Sequence, residues 1–258
     1  MTTKLILLIL GCWPTTQLLA DPPELLRVIR NVHDAEPSRP YADSRTAVNV
    51  LGMRVVSGPD EAWLMEMHDS FASIEEVDQA LASIRPLRNS NATANPASDD
   101  LAPARLLIAL YRPGLSYRPE EAAKSLTKAH YLLISIYRIR PGNEAAFSEI
   151  VKLRRARSDS INLDRPELAY EVVTGAMSGT YLFVAPFPTL KTLDDGLART
   201  PAYAEGVRDA SKKATAETEI SQERMLLRIE PGLSYVSDDF ASGDPEFWNP
   251  KLLPSRAR

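Results

Sequence analysis

Apolar residues recur along this chain with two periods, every second position in some stretches and every third or fourth in others, and the changes between them mark the elements. In the C-terminal half, Ala129–Ile139 is rich in β-branched and aromatic residues and predicts a strand. Arg140-Pro141-Gly142 breaks it, and Asn143 is placed to cap a helix with the apolar stripe Ala146, Phe147, Ile150 and Leu153. Leu168–Thr174 and Thr180–Ala185 predict two strands joined through a turn at Gly175–Gly179. Helix is expected over Thr192–Thr218, broken near Thr200-Pro201, and Glu223–Ile229 predicts a last strand.

The N-terminal half gives the same order with a shorter front. Leu25–Val32 predicts a strand, and Asp34–Ala47, interrupted by Pro37 and Pro40, has room for a short helix. Val48–Val56 and Ala62–His68 predict a pair of strands around a turn at Ser57–Asp60. Ser73-Ile74-Glu75-Glu76 has the form of a capping box and opens a helix with Ile74, Val77, Leu81 and Ile84 on one face. Pro86–Pro103 is polar, Pro-containing loop, and Arg105–Tyr111 predicts the fourth strand. The order β-α-β-β-α-β thus occurs twice, the split βαβ or ferredoxin-like unit. Pro-Gly-Leu-Ser-Tyr follows the last strand of each half, at Pro113–Tyr117 and Pro231–Tyr235, an offset of 118 residues that also pairs Trp63-Leu64 with Tyr181-Leu182. The expected class is α+β, with a first repeat over 21–117, a surface-crossing connector over 118–128, a second repeat over 129–236, and an extended tail over 237–258. Phe240, Phe247 and Trp248 are expected to hold that tail against the body.

The chain has 258 residues, 44% hydrophobic and 25% charged, with net charge −4, the composition of a globular protein without an electrostatic footprint for nucleic acid. The basic run Lys152, Arg154, Arg155 and Arg157 reads as a solvated helix face. Lys4, the apolar run Leu5–Leu10 and Ala20 ahead of Asp21-Pro22-Pro23 read as a signal peptide over 1–20, so the protein is expected to be exported, periplasmic or extracellular. Ile9-Leu10-Gly11-Cys12 loosely resembles a lipidation box and leaves anchoring through Cys12 as an alternative. Cleavage after Ala20 would remove the chain's one cysteine. No run is long enough for a membrane span.

Two ferredoxin-like units in tandem resemble the dimeric α/β-barrel superfamily, which includes antibiotic-biosynthesis-type monooxygenases, NIPSNAP-like proteins and haem-handling enzymes. Gly58–Trp63, Asp69-Ser70-Phe71 and the Pro-Gly-Leu-Ser-Tyr elements also look like a group of exported tandem-barrel proteins of unknown activity. The resemblance implies one pseudo-dimeric barrel, helices on one face of each sheet, and a cavity between the opposite faces. Assigning the aliphatic sets to the helices (Leu26, Val28 and Val32; Trp63, Met65 and Met67; Leu132, Ile134 and Ile136) leaves Arg27, Asn31, Glu66, His68, Tyr131, Ser135, Tyr137 and Arg228 to line that cavity. Arg30 falls on the helix side by the same count, against expectation.

Glu66 and His68, two apart on one strand, share a face, and a carboxylate beside an imidazole suits acid–base work near neutral pH or a hydrogen-bonded structural pair. His33, His68 and His130 lie on different strands without metal-ligand spacing, so no metal site is expected. No cofactor is expected; a haem would need an axial histidine, for which His68 could serve. Haem-degrading relatives use an Asn, a Trp and a helix His. Asn31 and Trp63 lie on the matching strands, but the helix Ile74–Ile84 has no histidine, which argues against that activity. No nucleophile elbow or phosphate loop is present. Three readings stay open: a binder of a small, largely apolar molecule in the barrel interior; a cofactor-independent monooxygenase-like enzyme using Glu66 and His68, with Tyr131, Tyr137 and Arg228 orienting substrate; and a structural or interaction protein with a solid core. Pairing of the two halves within one chain implies a monomer or a weak homodimer.

Overall fold

The computed structural model describes residues 21–32, 38–44, 46–58, 60–84, 105–160, 163, 165–199 and 217–249. The first half runs β1 (Leu25–Arg30), α1 (Arg39–Ser44), β2 (Asn49–Ser57), β3 (Ala62–His68), α2 (Phe71–Ile84) and β4 (Arg105–Tyr111). A connecting helix α3 (Pro119–Leu126) leads to β5 (Tyr131–Ile139), α4 (Glu144–Ser160), β6 (Leu168–Thr174), β7 (Thr180–Phe187), α5 (Lys191–Arg199) and β8 (Glu219–Ile229). In each half the strands lie in the order fourth, first, third, second, with antiparallel neighbours. The two sheets join through β2–β8 and β4–β6 into the closed barrel β1-β3-β2-β8-β5-β7-β6-β4. The fold is α+β, two tandem ferredoxin-like units making one barrel, and closure leaves no sheet edge open. The signal over 1–20 with Cys12, His33, the loop Pro86–Pro103 and the break at Thr200-Pro201 lie outside the described residues.

The face assignment made from the sequence is inverted. Leu26 and Val28, Leu51 and Met53, Trp63 and Met65, Leu107 and Ala109, Leu132 and Ile134, Tyr170, Leu182, Met225 and Leu227 belong to one apolar cluster contributed by all eight strands. These residues stand opposite one another in register, so they form one continuous face, the barrel interior. The helices pack on the other face: α1 and α2 through Tyr41 and Val77 against Val50 and Leu64, α4 through Phe147 and Val151 against Tyr137, Ala169, Tyr181 and Phe183. The cause is solvation. An eight-stranded barrel has an interior that side chains fill, where charged groups could not be satisfied, whereas the layer beneath the helices offers polar partners and an edge open to water. Arg30 falls at the mouth of the barrel, its guanidinium 4.5 Å over the Trp63 ring and paired with Glu61 at 3.1 Å.

Two further expectations are corrected. The tail is not extended: it forms α6 (Asp238–Ala241) and α7 (Pro245–Trp248), capped by Ser237 and Asp244, which accept from the Phe240 and Phe247 backbone N–H groups. The connector does more than cross the surface, since Ala122 and Leu126 of α3 join Phe240 and Trp248 in the inner cluster and close one end of the barrel. The Trp248 indole donates to the Thr127 carbonyl at 2.7 Å.

The repeated pentapeptide is a clamp. Each copy makes a 3-10 turn beyond the last strand of its half and reaches the second strand of the other half. Ser116 Oγ accepts from Ala169 N–H and Ser234 Oγ from Gly52 N–H, both at 2.9 Å, and Tyr117 and Tyr235 bridge to Glu167 and Val50. Gly52 is required there, because a Cβ would lie 2.2 Å from the Leu233 carbonyl oxygen.

Candidate functional site

Alternation on β1 and β3 brings Arg27, Glu66 and His68 out on the helix-covered face of the first sheet, with Arg27 and Glu66 directly opposite in register. All three are buried, Glu66 completely. Glu66 accepts from Arg27 Nε at 2.7 Å and from His68 Nε2 at 2.8 Å on Oε2, and from the Tyr41 hydroxyl at 2.6 Å on Oε1. Arg27 also donates to Asp78 at 2.5 Å, and His68 Nδ1 lies 3.0 Å from Ser73 Oγ. Tyr41 comes from α1, Ser73 and Asp78 from α2. The Asp78 side chain keeps 59% of its exposure, so the cluster reaches water along α2.

Electrostatics follows from this geometry. Burial pushes the Glu66 carboxyl up, but the hydrogen bonds from His68, Arg27 and Tyr41 and the Arg27 charge outweigh it and hold the group below the usual glutamate range. Burial, reinforced by the Glu66 charge, pushes the Tyr41 phenol far up, so it donates as a neutral hydroxyl. Burial works against the Arg27 charge, and Glu66 with Asp78 more than offsets it. Because Glu66 can only accept, His68 Nε2 carries a proton, and in the Nε2–H tautomer Nδ1 accepts from the Ser73 hydroxyl. The result is an imidazole oriented by a carboxylate, with its lone pair turned to the first turn of α2.

The two halves can be superposed by register. Matching the pentapeptides sets Leu110 with Arg228; their partners Leu25 and Tyr131 then coincide, and so do His68 and Phe187. In that frame Arg27, Glu66 and His68 correspond to Leu133, Ala185 and Phe187. The same sheet position is therefore built once with charges and once without. The frame also shows that Trp63 matches Leu182 rather than Tyr181, so the dipeptide match in the sequence is one residue out of step.

The other sequence candidates are not gathered around Glu66 and His68. Tyr131, Ser135 and Tyr137 share the outer face of β5 in the second half, and Arg228 stands opposite Tyr131 on β8. The Tyr137 hydroxyl accepts from Arg154 at 2.8 Å and Gln222 at 2.9 Å, and Ser135 Oγ accepts from Arg224 at 3.3 Å. Arg228 is paired with Glu230 at 2.6 Å. Asn31 follows β1, buried and in the left-handed region at φ 57°. Tyr131, Ser135, Tyr137 and Arg228 therefore do not line one cavity with the Glu66–His68 pair, because the helix-covered faces of a closed barrel point away from each other.

Sequence reasoning missed Tyr41, Ser73 and Asp78. Tyr41 sits in a Pro-interrupted stretch without periodicity, and Ser73 reads from the sequence as the helix cap. Ser70 takes that role, its Oγ accepting from Ser73 N–H at 3.2 Å, which frees the Ser73 hydroxyl for His68. Asp78 belongs to no motif in the sequence.

The described histidines do not suit a haem. His68 has both ring nitrogens engaged, and His130 stacks on Phe247 at 3.9 Å and contacts Asp244 through Nε2 at 2.9 Å. Among the described residues no three of His, Cys, Asp and Glu converge as metal ligands, and no helix is long and apolar enough to cross a membrane.

No family model matches the chain, and no curated protein is significantly similar in sequence. Some solved structures are similar to this chain. A proposed monooxygenase of Fusobacterium nucleatum is 11% identical, with 84% of this chain and 99% of that one covered and a TM-score of 0.47. A variant chlorite dismutase of Candidatus Nitrospira defluvii is 10% identical, with 87% and 97% covered and a TM-score of 0.46. A heme-binding protein of Thermus thermophilus is 8% identical, with 81% and 95% covered and a TM-score of 0.42. Similarity at this level transfers no residue role to this chain.

Proposed function

We propose that the protein binds a small molecule in the layer between the first sheet and helices α1 and α2, at the Arg27–Tyr41–Glu66–His68 cluster, rather than in the barrel interior. One observation carries this reading: the equivalent positions of the second half are Leu133, Ala185 and Phe187. The fold closes over an apolar version of the site, and a buried ion pair is no more stabilising than well-packed apolar residues of similar size. The charges are thus not needed for folding, and a ligand or a reaction accounts for their presence. The packed inner cluster argues against the interior as the place for a ligand of any size.

A second reading, cofactor-independent acid–base chemistry of the monooxygenase-like kind, is favoured by the His68–Glu66 contact of 2.8 Å. His68 Nδ1 would accept a proton from a substrate that displaces the Ser73 hydroxyl, while Glu66 stabilises the imidazolium and Arg27 holds Glu66 charged. Haem plays no part in either reading.

Native mass spectrometry of the protein purified from its own host tests the proposal. A co-purifying small molecule is expected, lost in His68→Gln and Glu66→Gln and kept in the interior variant Ile134→Val. Retention in both site variants with loss in Ile134→Val would move the site into the barrel.

A further inference from the structure

The two seams of the barrel differ in charge. At β4–β6, Glu171 stands opposite Leu110 and takes a hydrogen bond from Arg112 Nε at 2.7 Å, so its charge is answered across the seam. At β2–β8 the same three positions hold Arg54, Arg228 and Glu230. Arg54 and Arg228 face each other in register, and like charges so placed on antiparallel strands repel. Glu230, the carboxylate that could answer Arg54, is engaged by Arg228, Nε to Oε1 at 2.8 Å. The Arg54 side chain makes no hydrogen bond or ion pair among the described residues.

Beside this pair lies an open groove of about 400 Å³, lined by Arg54, Arg228, Glu230, Gly232 and Leu233. A Cβ on Gly232 would meet nothing within 4 Å, so packing does not demand glycine there, and its absence of a side chain keeps the groove open. We propose that this groove binds a small organic anion. Arg54 and Arg228 hold its carboxylate or phosphate head, and Leu233 lies against its apolar part. Two guanidinium groups over one concavity match the paired oxygens of such a head, and the anion relieves the repulsion built into the strand pair. The site uses different residues from the His68 cluster and stands independently of it.

Isothermal titration with benzoate and with phenyl phosphate, and benzamide as the neutral control, tests the proposal. Saturable 1:1 binding of at least one anion is expected, weakening with salt, and absent for benzamide. Arg54→Ala should weaken it by about tenfold or more. Arg54→Glu sets a carboxylate opposite Arg228 in place of a second cation, so it should abolish anion binding and raise the melting temperature in anion-free buffer. Gly232→Leu should block the groove with both arginines in place. Failure of wild-type protein to bind either anion saturably, or undiminished binding in Arg54→Ala or Gly232→Leu, would overturn the assignment.

Discussion

Glu66 is buried completely and accepts hydrogen bonds from three side chains, so its loss removes the buried partner of Arg27 and leaves it only the exposed Asp78. Glu66→Ala should cost about 3–5 kcal/mol in urea unfolding, the usual consequence of breaking a buried pair from one side. The folded-state pKa of Glu66 is lowered, so its contribution is present above the ordinary glutamate value of about 4.3 and is lost as pH falls from there through the folded value. The Glu167 and Glu219 carboxyls, raised chiefly by burial, act in the opposite sense, so the expected result is differential: Glu66→Gln should flatten the acid side of the stability–pH profile. On the alkaline side Tyr41 keeps its proton in the folded state beyond the ordinary tyrosine value of about 10, and stability should fall as pH rises past it. Tyr170 carries into the inner cluster a hydroxyl without a hydrogen-bond partner among the described residues, so Tyr170→Phe should be neutral or stabilising by up to about 1–2 kcal/mol in thermal unfolding. At this scale the sequence was half legible. Alternation correctly set Arg27, Glu66 and His68 on one face, because the period of a strand is fixed by its geometry. It could not say which face turns inward, since that depends on closure and on what the helices offer.

The elements of the barrel are tied by reciprocal contacts that the repeat announced without explaining. Ser116 and Ser234 hold the seams from opposite sides, each giving a buried backbone N–H its acceptor. Ser116→Ala and Ser234→Ala should each cost about 1–3 kcal/mol, and their effects should add in the double variant, since the two seams share no partners. Gly52→Ala should cost more than either, because its Cβ would meet the backbone of Leu233 rather than a side chain that can turn away. Differential calorimetry of the four variants checks all of this. Strand positions were readable where apolar runs were bounded by Pro and Gly, as at Ala62–His68, Arg105–Tyr111 and Leu168–Thr174. The helical turns of the tail were not, because Asp238–Ala241 and Pro245–Trp248 are too short to show a period and are fixed by caps and by Trp248 binding the Thr127 carbonyl.

At the scale of the molecule, eight strands wrap an apolar centre, α3 and the tail close one end, and the charged chemistry is displaced to the layers beneath the helices. Ile134, almost fully buried in that centre, should cost about 2–5 kcal/mol when cut to alanine, while leaving ligand binding at the outer layer intact. Tandem repetition made the architecture readable, since two copies of one order must pair to bury two apolar faces. It concealed the candidate site, because the informative feature is where the copies differ, and that requires the register. The claim that His68 is buried beneath α1 and α2 and oriented by Glu66 is most directly tested by long-range proton–nitrogen NMR of the His68 ring. The expected result is a resolved, slowly exchanging Nε2–H with Nδ1 unprotonated. A proton on Nδ1, or a ring N–H lost to rapid exchange with water, would contradict the account.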